Sequence, residues 1–409
     1  MKHDSATSAP AHLPAFERAR IRFDRNELAG AFGDLGTDVP LLIGMTLAAG
    51  LDGTSVLVMF GVMQLVTGIT YRMPMPVQPL KAMAAIVIAR QASAATLYGG
   101  GLAIGVVMLV LAATGVLEWL GRVVPRCVVR GIQLGLGLQL ASVALGKFVQ
   151  ADGHFGYVLA AGAFSITVFL LGSRRFPAAL PVVLLGLIYA TLSNWDGGVL
   201  RSFGFHLPSL HVPQPIDILN GFLVLALPQI PLSLGNSVLA TRQLAEDLFP
   251  DRRLTIRKVG LTYAFMNLVN PWFGGVPTCH GSGGMAGHFA FGGRTGGSVV
   301  IYGSFFVLLG LFFGPGFEQL VKMFPLPILG VILLFEALAL IWVVRETATC
   351  RTEFPIAVLV GLLAVGLPYG YVIGLVVGTS LFYLGGRTRL VNPDAVQQQH
   401  AADEALRCS

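Results

Sequence analysis

The chain has 409 residues, of which 54% are hydrophobic and only 12% charged, with a mean hydropathy of +0.73. Soluble domains carry about 25% charged residues, so a water-facing globule is excluded, and the long unalternating apolar runs exclude a β-barrel. The net charge of +6 sits at the ends of apolar runs, where it marks topology rather than a nucleic-acid surface.

Residues 1–26 are polar and basic without an apolar stretch, and read as a cytoplasmic leader rather than a signal peptide. From Leu28 to Leu384 apolar segments recur fourteen times, most of them near the roughly 20 residues that cross a bilayer. The expected spans are 28–50, 54–71, 77–90, 98–117, 126–147, 155–172 and 177–194, then 217–240, 256–272, 277–291, 296–315, 326–344, 354–367 and 369–385. Seven fill a first unit, 27–194, and seven a second, 217–385. A Pro-rich external linker, 195–216, joins the units, and residues 386–409 form a short cytoplasmic tail without a regulatory domain. With both termini inside, only Arg90, Lys147, Arg201 and Lys322 fall outside and Lys81 within a span. All the other Lys and Arg lie on the cytoplasmic side, as the positive-inside bias requires.

The first span is interrupted by GDLGTDVPL, which sets Asp34, Thr37 and Asp38 inside the membrane. Carboxylates there are functional candidates by default. Asp34 and Asp38 are candidate proton carriers, with Asp34 equally suited to capping a helix or pairing with Lys81. The third span carries PMPVQPLKAMAA. Prolines 74, 76 and 79 keep the chain extended through Gln78, and Pro79 suits the first position of a half-helix. The free amides at such an end receive anions. Lys81 stands in the first turn, against the helix dipole; a bound anion accounts for it, as would snorkelling or a carboxylate partner.

The eighth span, PQIPLSLGNSVLA, offers Gln229, Ser233, Asn236 and Ser237 as neutral donors to an oxyanion that must later leave. The tenth, GGVPTCHGSGGMAG, repeats the design of the third. Pro277 ends an extended piece, and Thr278, Cys279, His280, Gly281 and Ser282 open a second half-helix. Gln78, Pro79 and Lys81 face these five as substrate-binding candidates, with Thr37, Asn236 and Ser237. Glu336, in the twelfth span, is a further proton-carrier candidate or an interhelical hydrogen-bonding residue. Adjacent Cys279 and His280 diverge by about 100° on a helix, no GxSxG partner accompanies the HGSGG string, and no ligand cluster emerges. No enzymatic activity, metal or cofactor is expected.

GDLGTDVP, MPMPVQPLKA and VVPRCVVRG in the first unit are echoed by LPQIPLSLGNS, GGVPTCHGSGG and FPLPILG in the second, in the same order and roughly 200 residues on. Seven spans per unit is odd, so the second unit inserts upside down. Interrupted helices at matching positions of inverted repeats point to a transporter's binding site. The fold expected is an all-α polytopic membrane protein, a 7+7 transmembrane inverted repeat with half-helices in spans 3 and 10.

The strings GAFGDLGTDVPLLIGMTL, YRMPMPVQPLKAMAA, VVRGIQL, LPQIPLSLGNSVLA and FGGVPTCHGSGGMAGHFAFGGRTGG resemble the molybdate transporters of the sulfate-permease superfamily, with plants and algae the nearest likeness. The resemblance implies a core of spans 1–4 and 8–11 moving against a gate domain, with substrate held between half-helices. It implies a proton-coupled importer of molybdate, in a bacterial inner membrane if the host is prokaryotic. A sulfate or general oxyanion permease, and a passive anion channel, stand as alternatives. Protons and the lipid bilayer are the other partners, and a homodimer is left open.

Overall fold

The computed structural model describes residues 20–170, 179–193 and 201–384. Residues 1–19 of the leader, 195–200 of the linker and the tail 386–409 lie outside them. In lipid each backbone N–H and C=O must be satisfied within the chain, and the apolar segments accordingly fold as helices. The first unit contains α1 (Arg25–Ala31), α2 (Leu35–Ala49), α3 (Gly53–Tyr71), β1 (Val77–Pro79), α4 (Lys81–Arg90), α5 (Ala94–Thr114), α6 (Val116–Val123), α7 (Arg126–Phe148), α8 (Gly153–Leu170) and α9 (Ala179–Ser193). The second contains α10 (Pro215–Leu248), α11 (Ile256–Val269), β2 (Thr278–His280), α12 (Ser282–Ala290), α13 (Gly297–Met323), α14 (Leu326–Thr347), α15 (Glu353–Gly366) and α16 (Gly370–Leu384).

Expected spans and observed helices coincide closely, and the differences have local causes. Span 1 is two helices because the chain breaks at Gly33 and Asp34. Span 4 ends at Gly115, whose φ of 75° stops α5, and the short helix α6 follows. Span 11 does not end at Pro315: α13 kinks at Phe313 (φ −133°) and runs on to Met323, since a proline removes one helical hydrogen bond and bends the chain. Pro125 and Pro325 stand at matching places, as the caps of α7 and α14. Span 8 is a single long helix, α10, with π-type turns at Phe222–Ala226 and Ser233–Leu239.

The inversion is visible in the packing. Span 2 (α3) lies along span 11 (α13), and its counterpart span 9 (α11) lies along span 4 (α5). Likewise span 13 (α15) packs on span 5 (α7), and span 6 (α8) on span 12 (α14). These are the twin contacts that a two-fold axis in the membrane plane generates. The α3–α13 crossing is backbone to backbone: a Cβ at Gly61 would lie 2.6 Å from the Gly303 carbonyl oxygen, and one at Gly303 would lie 2.7 Å from that of Gly61. Small residues permit such approach in membranes.

One polar staple fastens the amino-terminal helix. Glu27, 1% exposed, accepts from the amides of Arg294 (3.0 Å), Thr295 (2.8 Å) and Ser298 (2.9 Å). It thereby caps α13, whose first amides have no partner within the helix. The described part of the linker runs extended across one end of the bundle. The His206 backbone amide donates to the Leu311 carbonyl and that of His211 to the Trp272 carbonyl, each at 2.8 Å.

Candidate functional site

Two short strands cross at the centre of the molecule. β1 pairs antiparallel with β2, setting Val77 opposite His280, Gln78 opposite Cys279 and Pro79 opposite Thr278. The Leu80 amide continues the ladder to the Pro277 carbonyl at 3.0 Å. Both half-helices therefore begin later than the prolines suggest. α4 starts at Lys81 with Leu80 as its cap, and α12 starts at Ser282 with Gly281 as its cap. Pro79, Thr278, Cys279 and His280 belong to the strands, where sheet pairing takes up backbone groups that the sequence reading gave to the helices.

A side-chain amide clamps each strand from behind. Gln64 on α3 donates to the Val77 carbonyl (2.8 Å) and accepts from the Val77 amide (2.9 Å). Asn267 on α11 does the same for Thr278, at 2.7 and 3.0 Å. With Gln78 and Cys279 facing each other on the axis, Val77 and Thr278 are equivalent positions, and the clamps are a symmetric pair. Both are fully buried. Sequence reasoning missed them, although a lone amide in an otherwise apolar span was the available signal.

Successive side chains of a strand point to opposite faces, and this sorts the expected residues. On one face lie Gln78 and Cys279. Gln78 donates from Nε2 to both Asp34 carboxylate oxygens, at 2.8 and 2.7 Å; Thr37 lies beside that carboxylate, and Ser237 lies at the Cys279 thiol. A Cβ at Gly281 would collide with the Gln78 side chain, and one at Gly284 with the Asp34 carboxylate and, at 2.8 Å, with Pro76. Asp34 therefore lies directly against the amino end of α12. The amides of Ser282, Gly283 and Gly284 have no acceptor among the described residues, and Gly283 is exposed. Lys81, half-buried, makes no hydrogen bond or ion pair among the described residues. It lies within electrostatic reach of Asp34, Asp38, Cys279 and Glu336.

On the other face, Thr278 and His280 point into the packing. The Thr278 hydroxyl accepts from Asn270 Nδ2 at 3.2 Å. His280 Nε2 lies 2.7 Å from the Thr262 hydroxyl, itself 2.5 Å from the Tyr71 hydroxyl. Asp38 is held elsewhere: Tyr302 donates to its Oδ2 at 3.0 Å, and Oδ1 has no hydrogen-bond partner among the described residues. The α4 end differs from expectation as well. Gln229 Oε1 accepts from the amides of Ala82 (3.0 Å) and Met83 (3.3 Å), so two of the amides that the sequence leaves free are occupied.

Asn236 faces a cavity of about 520 Å³ between α7 and α10, lined by Arg126, Arg130, Arg242 and Glu246 among others. Arg130 is held by Glu346 at 2.6 Å and Arg242 by Glu246 at 2.8 Å. Glu336, on α14, lies within electrostatic reach of Asp34, Asp38 and Lys81.

Three comparisons bear on the chain. The profile of the family described as "Molybdate transporter of MFS superfamily" matches residues 26–140 and 221–340. Molybdate transporter 2 of Arabidopsis thaliana is 33% identical, the match covering 82% of this chain and 83% of that protein. Molybdate transporter 1 of Chlamydomonas reinhardtii is 28% identical, over 88% and 92%. Among solved structures, the transmembrane domain of a cyanobacterium bicarbonate transporter, BicA, superposes with a TM-score of 0.64 at 18% identity, covering 85% of this chain and 98% of that one. Murine Slc26a9 in its inward-facing state gives 0.65 at 13% identity, over 93% and 73%. Both share the fold.

Proposed function

Because this chain belongs to the molybdate-transporter family, we propose that it is a secondary active transporter that imports molybdate with protons by alternating access. The observation that carries this reading is the β1–β2 pairing, beside which Asp34 lies against the open amino end of α12 and within electrostatic reach of Lys81. Such an end is worth about half a positive charge, and the Lys81 ammonium adds one. A tetrahedral dianion asks for two. Asp34 lies in the same place and subtracts one when ionised, so the guest and a negative Asp34 repel each other. Protonation of Asp34 removes that repulsion. Molybdate and a proton then bind together or not at all, which is the physical condition for symport.

The substrate site is assigned to Gln78, Lys81, Cys279, Gly281 and Ser282, with Thr37 and Ser237 at its edge and Asn236 on the path to it. Pro79, Thr278 and His280 hold the strands rather than the guest. Asp34 is the proton carrier, ahead of Asp38 and Glu336. The core, spans 1–4 and 8–11, moves against the gate, spans 5–7 and 12–14. Lys81 on the core and Glu336 on the gate mark where the two meet. The chain is placed in the cell's inner membrane with both termini cytoplasmic.

The test is uptake of labelled molybdate into proteoliposomes with an imposed proton gradient. Accumulation against the molybdate gradient, abolished by a protonophore and lost in Asp34→Asn, is the expected result. Conductance without uphill accumulation would make the chain a channel. Abolition of uptake by an equal concentration of sulfate would make it a general oxyanion permease.

A further inference from the structure

The two half-helices are not equivalent. At α12 the three terminal amides have no acceptor among the described residues, whereas at α4 the Gln229 side-chain oxygen holds those of Ala82 and Met83, at 3.0 and 3.3 Å. Gln229 is itself held in place. Its Nε2 donates to the Ser233 hydroxyl at 3.1 Å, and that hydroxyl lies 2.7 Å from the Tyr263 hydroxyl, a chain joining α10, α4 and α11. Gln229 is 2% exposed and stands between Pro228 and Pro231, one turn before the π-type stretch Ser233–Leu239. Stretches of that kind recur at functional sites. A neutral carbonyl oxygen thus occupies the place where α4 would receive an oxygen of an anion.

We propose that Gln229 is a specificity-determining residue, a displaceable neutral cap that competes with the bound oxyanion for the α4 amides. The inference rests on the site assignment made above and gives that site a selection rule. Hydrogen bonds from amides to an ionised acceptor are about twice as strong as those to a neutral one, so an oxyanion exchanges places with Gln229 at a gain. The gain grows with the charge of the guest, which favours tetrahedral dianions over monoanions of similar size. The same competition weakens the bound state and allows release: as the guest leaves, Gln229 returns and no amide is stranded. An α4 end left bare would bind more tightly and turn over more slowly.

The experiment uses the purified full chain, with labelled molybdate binding in detergent and uptake in proteoliposomes measured side by side. Gln229→Met keeps length and volume while removing the oxygen. Gln229→Asn withdraws the oxygen by one methylene and serves as the second variant. Both are expected to bind molybdate several-fold to about tenfold more tightly with a lower maximal uptake rate. Both are also expected to melt earlier when empty and to gain more on adding molybdate than the wild type does. Gln229→Glu fixes a carboxylate at the amides and is expected to lose at least about tenfold in affinity. A purely structural role would lower stability without tightening binding. A wild type that binds molybdate, with folded Gln229→Met and Gln229→Asn no tighter, overturns this inference alone; so does Gln229→Glu with wild-type affinity. A wild type that binds no molybdate overturns the substrate reading and this inference with it.

Discussion

Asn267→Ala removes one of the two clamps and shows what the strand crossing depends on. Asn267 gives Thr278 both of its backbone partners, at 2.7 and 3.0 Å, and its Nδ2 also meets the Tyr263 carbonyl at 2.9 Å. Thr278 and Asn267 are fully buried, so truncation takes from the Thr278 N–H and C=O the partners that Asn267 gives them. Each stranded group costs about 1–3 kcal/mol, giving roughly 2–6 kcal/mol for the pair. The Tyr263 carbonyl adds little, since it keeps its place in the helix ladder. The assay is thermal unfolding of the purified protein beside molybdate uptake. Melting is expected several degrees lower, and uptake is expected to fall further than the folded fraction, because Thr278 belongs to the strand that aims α12. Gln64→Ala removes the equivalent bonds from Val77 and is expected to cost a similar amount. Wild-type melting and uptake in Asn267→Ala would refute the reasoning, since the crossing would then stand without its clamp.

Lys81→Met removes the ammonium at the proposed site while keeping the stem, and molybdate affinity is expected to fall at least tenfold, about 1.4 kcal/mol, in an equilibrium binding assay. Gly284→Ala drives a methyl group into the Asp34 carboxylate and Pro76; uptake is expected to be lost while expression and the helical circular dichroism signal persist. Glu27→Ala leaves three amides around α13 without their acceptor, and stability is expected to drop by roughly 2–4 kcal/mol, read as a lower melting temperature.

The fold was legible in the sequence because its punctuation is covalent. Proline lacks an N–H, so Pro74, Pro76, Pro79 and Pro277 announce the interrupted helices, and Pro125 and Pro325 announce the gate helices they cap. Apolar length set most spans to within a few residues, with α10 and α13 running eight residues past the expected ends, and the odd number per unit required the inversion. The site was legible as a neighbourhood but not as a set of contacts. Residues 278–280 were expected to open a helix, and their polar side chains to face one guest. As a strand they alternate, so Cys279 faces Gln78 while Thr278 and His280 turn towards Asn270 and Thr262. Gln229 was read as a donor to substrate, and nothing local reveals that its oxygen reaches across to Ala82, 147 positions away in the chain. Gln64 and Asn267 escaped notice for the same reason: a side chain that serves the backbone of a different span leaves only its polarity in the sequence.

The most direct test locates the guest itself. Crystals of the full chain grown with molybdate should show anomalous scattering from molybdenum between the half-helices, with its oxygens about 3 Å from the Ser282, Gly283 and Gly284 amides and from Lys81 Nζ. A molybdenum peak away from the β1–β2 crossing, or none there in crystals of protein that binds molybdate in solution, would contradict the account.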